Sequence, residues 1–155
     1  MSLNRRQLLG GMAASGLLFP TIVHARSPEI FQTDGVAING TDPVIYFTKG
    51  KPDSLYNSYA RSWMGVEWQF DSDETAEMFA ADPQKYAPVF GGYCSYAASL
   101  GYLAKTVPEA WTIYEGKLYL NASLRARELW LRDIPGNIAK GHANWPAILE
   151  RELPA

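Results

Sequence analysis

The sequence predicts an α+β fold, in which a small antiparallel sheet built from hairpins has helices packed against it. Two hairpin signals support this prediction. Met64-Gly65 separates "YNSYARSW" from "VEWQF", and Glu115-Gly116 separates "AWTIY" from "KLYLN"; two-residue loops with glycine are typical of tight hairpins. Segments that begin with Ser or Asp and continue with helix-forming residues follow each hairpin. The 155 residues, 47% of them hydrophobic, are enough for one domain with a substantial core.

The first 25 residues have the pattern of an export signal. They combine Arg5 and Arg6, an apolar stretch from Leu8 to Val23 and a small residue, Ala25, at the end. The adjacent arginines resemble the twin-arginine signal of bacteria; the alternative is a general secretory signal that carries two arginines. We therefore expect export to the periplasm by the twin-arginine machinery, cleavage after Ala25, and no stable membrane span after cleavage.

After the signal, we expect a lead-in segment at 26–34, a single domain at 35–150 and a short tail at 151–155. The net charge is −2, and no long run of one sign occurs. This modest charge argues against a nucleic-acid partner.

Strands are also predicted at 44–47 and at 66–70, the second of which follows the Met64-Gly65 turn. Asp42-Pro43 suits a turn, and a short strand is predicted to follow it at Val44 to Phe47. In 66–70, apolar residues alternate with polar ones, so one face of that strand is predicted to be buried.

Capping residues and prolines set the predicted helix boundaries. Asp71 or Ser72 can cap a helix that ends before Pro83, and "PQKYAP" is expected to add one more turn. Near the C-terminus, "SLRARELWLRDI", capped by Ser123, and "GNIAKGHANWPAILE" are predicted to be helical.

Cys94 is the only cysteine of the chain, and it falls in a helix predicted from Tyr93 to Leu100. On that helix Cys94, Ala97 and Ala98 form one stripe of small side chains, which favours close packing and a structural, buried thiol. The alternative is functional, because a cysteine in the first turn of a helix is favoured as thiolate.

A functional Cys94 needs a partner, and His142 is the only histidine that remains after signal cleavage. The pair could act as a nucleophile and base, or bind copper or zinc through sulfur and nitrogen. Two ligands are too few for a closed zinc site, so such a metal site would be open. No nucleophile elbow, phosphate-binding loop or dinucleotide motif occurs, so a stand-alone enzyme is not expected.

The aromatic residues suggest another kind of site. We expect the five tryptophans to serve mainly in core packing. A pocket formed by Tyr46, Tyr93 and the sheet is a candidate site for a small ligand.

Several motifs together resemble the YHS-domain proteins of bacterial envelopes: "GTDPVIYFTKGKP", "YNSYARSWMGVEWQFDSDETAEMFAADPQKYAPVFGGYC", "AWTIYEGKLYLN" and "IAKGHANWP". The resemblance covers about 35–149. It implies a small α+β module, related to the TRASH domain and linked to heavy-metal sensing and trafficking, in which Cys94 is a ligand. Ile45, however, stands where metal-binding members carry a second cysteine. A metal site here would have to recruit His142, a methionine or an aspartate, or be completed by a second copy of the chain in a homodimer.

Three hypotheses follow, in this order. The first is an exported copper- or zinc-handling protein that uses Cys94. The second is a metal-free periplasmic module that binds a small ligand or a protein partner and in which Cys94 is structural. The third is a thiol enzyme.

Overall fold

Two short hairpins and the helices that follow them form the architecture, and this confirms the α+β class. The computed structural model describes residues 26–52 and 58–151. The strands are β1 (Gln32–Thr33), β2 (Val36–Ala37), β3 (Tyr59–Trp63), β4 (Val66–Phe70), β5 (Val107–Tyr114) and β6 (Lys117–Asn121). The helices are α1 (Ile45–Thr48), α2 (Asp73–Ala81), α3 (Pro83–Tyr86), α4 (Ser95–Leu100), α5 (Leu124–Leu131) and α6 (Ile134–Asn144). Short 3₁₀ turns lie at Ile38–Gly40, Val89–Gly92 and Ala147–Glu150.

The strands form two sheets rather than the single antiparallel sheet that was predicted. In the first sheet the order is β1-β2-β4-β3, and β2 runs parallel to β4 with Val36 opposite Glu67. The second sheet consists of β5 and β6. Both predicted hairpins are confirmed, because Trp63 pairs with Val66 and Tyr114 with Lys117 directly beside the two turns.

The predicted strand at Val44 to Phe47 is wrong, since this segment forms α1. The carboxylate of Asp42 accepts a hydrogen bond from the Val44 amide at 2.8 Å and another from the Asp71 amide at 2.9 Å. The first bond folds the chain into a turn that continues as a helix. Val44, Ile45 and Tyr46 are buried and Phe47 is partly buried, and a short apolar run does not distinguish a strand from a helix by its periodicity.

Side chains at the predicted positions cap the helices. Ser72 accepts a hydrogen bond from the Thr75 amide at 3.2 Å, and Ser123 accepts one from the Ala126 amide at 3.0 Å. α4 begins two residues later than predicted, with Cys94 itself as the N-cap. Gly101, at φ 86°, ends α4 in the left-handed conformation that glycine adopts readily.

The segment 26–34 is an integral part of the domain, because Ile30 and Phe31 are buried in the core. The Phe31 amide donates to the carbonyl of Gly91 at 2.9 Å. At Gly91 a Cβ atom would lie 1.8 Å from the carbonyl oxygen of Glu29, so this approach requires glycine.

Across the described ranges, no helix combines the length and the apolar character needed to cross a membrane.

Candidate functional site

Cys94 is buried, with 1% of its surface exposed, and its sulfur is hydrogen-bonded on two sides. The sulfur accepts a hydrogen bond from the Ala97 amide at 3.4 Å and donates its S–H to Oδ1 of Asn121 at 3.6 Å. Burial raises the pKa of the Cys94 thiol, while hydrogen bonds from nearby backbone amides oppose this effect. The amides at the helix start thus favour the thiolate, as the sequence predicts, but desolvation has the larger effect on the pKa.

Asn121, at the end of β6, anchors the thiol. It is fully buried, and its Oδ1 also accepts a hydrogen bond from the Tyr96 amide at 3.1 Å. Among the described residues, neither Nδ2 of Asn121 nor Oγ of Ser95 has a hydrogen-bond partner. Sequence reasoning did not single out Asn121, although a polar residue that ends the apolar strand "KLYLN" is a usable signal. These bonds fasten the start of α4 to β6, which is a structural role.

His142 lies in the last turn of α6 and is exposed. Its ring centroid is 5.0 Å from that of Phe90. The preceding residue, Gly141, allows this approach, because a Cβ atom there would lie 2.5 Å from Cζ of Phe90. His142 and Cys94 thus have different surroundings, one at the surface and one in the interior. In the part of the chain that the structure describes, no group of three or more His, Cys, Asp or Glu side chains is placed to hold a metal ion.

Tyr46 and Tyr93 are both buried, and each hydroxyl is bonded to a distant backbone carbonyl. Tyr46 donates to the carbonyl of Pro108 at 3.1 Å, and Tyr93 donates to that of Pro28 at 2.8 Å. Burial raises the pKa of both hydroxyls. Each of these two hydrogen bonds therefore joins segments of the domain that are distant in the sequence.

A groove of about 280 Å³ is lined by residues from both sheets and from the segments beside them. The end of β3, the segment from α3 to the turn at Val89–Gly92, β6 and α6 each contribute side chains to it. Its lining residues are Trp63, Gln84, Ala87, Pro88, Val89, Lys117, Tyr119 and His142. Apart from His142, sequence reasoning did not predict this site, because its residues come from four separate segments.

Packing behind the groove fixes its aromatic walls. The ring of Trp63 is 5.7 Å from that of Trp68 and 5.8 Å from that of Phe79. On the other side, the ring of Tyr119 is 5.0 Å from that of Trp130, which is fully buried. These contacts hold both walls in place, so the groove is largely pre-formed.

The polar groups that line the groove are the Lys117 ammonium, the His142 imidazole, the Gln84 amide and the Tyr119 hydroxyl. The Lys117 ammonium donates to the carbonyl of Gln84 at 3.4 Å, and both residues line the groove. His142 adds an imidazole, and the lining contains no Asp or Glu. Glu115, in the adjacent turn, acts on the Tyr119 hydroxyl, whose pKa is raised mainly by burial and secondarily by that carboxylate. The groove therefore combines apolar walls with basic polar groups.

Comparison with known proteins adds no assignment: no family model matches the chain, and no curated protein or solved structure is significantly similar to it. The fold and the groove define an α+β domain with two small sheets and a partly apolar groove to which both contribute residues. Because one fold supports many functions, the function has to be argued from the groove itself.

Proposed function

We propose that this protein is a periplasmic binding module that holds a small molecule in the groove beside Trp63 and Tyr119, without a metal, and in which Cys94 is structural. The observation that carries this proposal is the groove itself. Trp63, Val89 and Tyr119 give it apolar walls, and Lys117 and His142 add polar groups at its edge. Ligand sites are typically concave and mostly apolar, with a few polar groups that orient the ligand.

The size of the groove defines the class of ligand. A volume of about 280 Å³ corresponds to roughly nine water molecules at the density of the liquid. This is near the lower end of the usual range for ligand sites, about 300–1,000 Å³. A molecule of one or two rings suits this space, and the aromatic side chains of Trp63 and Tyr119 line it.

The surroundings of Cys94 support the structural half of the proposal. The thiol is buried, and burial raises its pKa, which disfavours the thiolate. A nucleophile or a metal ligand requires the thiolate. The hydrogen bonds to Asn121 and Ala97 give the sulfur a role in joining α4 to β6.

Titration of the purified protein with naphthamide, a neutral two-ring amide, tests the proposal. We expect binding with one-to-one stoichiometry by isothermal titration calorimetry. Ala87 lines the groove, so Ala87→Leu fills part of it and should weaken binding by tenfold or more, about 1.4 kcal/mol. Ala80→Leu places the same side chain on the exposed side of α2 and serves as the control. Equal binding by the wild type and the Ala87→Leu variant refutes the proposal, as does the absence of binding both for naphthamide and for its anionic counterpart naphthoate.

The periplasmic part of the proposal rests on residues 1–25, which lie outside the described residues. Its support is the paired Arg5 and Arg6 before an apolar stretch. Both arginines should be replaced by lysine, and the cells fractionated. Loss of the protein from the periplasm is the expected result, and undiminished periplasmic protein rules out twin-arginine export.

A further inference from the structure

The charge distribution in the groove identifies the chemistry of its ligand. Lys117 and His142 supply the nitrogen groups, and neither Asp nor Glu is among the lining residues. The chain as a whole has a net charge of −2, so a groove lined by an ammonium and an imidazole carries more positive charge than the average surface. Such a groove attracts an anion more than a cation.

The position of Lys117 strengthens this argument. Its ammonium donates to the carbonyl of Gln84 at 3.4 Å, which joins β6 to α3 across the groove. An ammonium has three N–H donors, and this bond engages one of them. The remaining donors can form charge-assisted hydrogen bonds with an anionic group, which are stronger than neutral ones.

The position of His142 places a second nitrogen group at the same groove. Its ring lies against Phe90, with the centroids 5.0 Å apart, and Gly141 allows α6 to approach that ring. Packing against Phe90 thus holds the imidazole at the groove. One ring nitrogen of a neutral imidazole is a donor, so His142 can also bond an anion.

We infer that the ligand of the groove is a small ring-containing anion, with its rings between Trp63 and Tyr119 and its anionic group on Lys117 and His142. Aromatic carboxylates are the simplest members of this class. The inference rests on the proposed function, since it names the chemistry of the ligand that the same groove holds.

Comparison of naphthoate with naphthamide tests the inference, because the two probes share their rings and differ in charge. We expect the wild-type protein to bind naphthoate about tenfold more tightly than naphthamide, measured by isothermal titration calorimetry. Lys117→Met should abolish most of this preference, because it should weaken the binding of naphthoate more than that of naphthamide. Lys117→Arg retains the charge and should retain the preference.

Glu115→Gln is a matched control for Lys117→Met, because it also changes the net charge by one unit in the same hairpin. Unlike Lys117, Glu115 does not line the groove. This variant should bind naphthoate at least as tightly as the wild type. Equal affinity of the wild type for the two probes overturns the inference and leaves the proposed function intact. A preference that survives in both Lys117→Met and His142→Gln also overturns it. If neither probe binds, the proposed function fails together with the inference.

Discussion

Replacement of Cys94 by alanine tests whether the thiol is structural. In the folded protein its sulfur accepts a hydrogen bond from the Ala97 amide and donates one to Asn121. Alanine removes the N-cap of α4 and both hydrogen bonds, and it leaves a void at a position that is 1% exposed. Serine retains a donor and an acceptor at the same place and is a preferred N-cap residue.

The expected loss of stability follows from these contacts. Removal of an N-cap side chain costs about 1 kcal/mol, and a weak S–H···O bond contributes about 0.5 kcal/mol. The void adds roughly the 0.8 kcal/mol of one buried methylene group. We therefore expect Cys94→Ala to lower the free energy of unfolding by about 2 kcal/mol. Cys94→Ser, which retains both polar contacts, should stay within about 1 kcal/mol of the wild type.

Urea unfolding followed by tryptophan fluorescence measures both variants. A loss below about 0.5 kcal/mol for Cys94→Ala, the size typical of a neutral surface change, refutes the structural role. An equal loss in the alanine and serine variants refutes the hydrogen-bond argument, because then only the volume of the sulfur would matter.

The remaining predictions concern the buried carboxylate, the response to alkali and the metal hypothesis. Asp42→Asn should lower the free energy of unfolding by about 2–4 kcal/mol, since its NH₂ group would face a backbone donor. The control Asp82→Asn makes the same change at an exposed N-cap and should change stability by less than about 0.5 kcal/mol; equal losses in the two variants would contradict this reasoning. Burial raises the pKa of the Cys94 thiol and of the Tyr46 hydroxyl above their ordinary values of about 8.5 and 10. The contribution of each group to the free energy of unfolding is therefore fully present below its ordinary pKa and decreases as the pH rises above that value. Unfolding free energies that stay constant through this alkaline range would show that these groups do not remain buried. If the protein works without a metal, as proposed, the wild type and a Cys94→Ala, His142→Ala double variant should take up equal amounts of Cu(I) and zinc. Excess uptake by the wild type would favour the metal-handling hypothesis that the resemblance implies.

The sequence by itself determined the local elements of this protein. Both hairpins form where Met64-Gly65 and Glu115-Gly116 predict them, and Ser72 and Ser123 cap the expected helices. These features depend on turn geometry and on hydrogen bonds between residues at most a few positions apart. They can therefore be predicted without knowledge of the tertiary structure.

The tertiary structure alone decided the properties that depend on distant residues. The segment at 44–47 forms a helix rather than a strand. The Asp42 carboxylate, which accepts hydrogen bonds from the Val44 amide and from the distant Asp71 amide, lies at the start of this helix. The thiol of Cys94 has a raised pKa because packing removes it from water, although its place at a helix start favoured the opposite shift. The groove brings together Trp63, Lys117 and residues of two other segments that are far apart in the chain. Desolvation and the shape of a cavity arise from contacts among such segments, and for that reason no local pattern in the sequence encodes them.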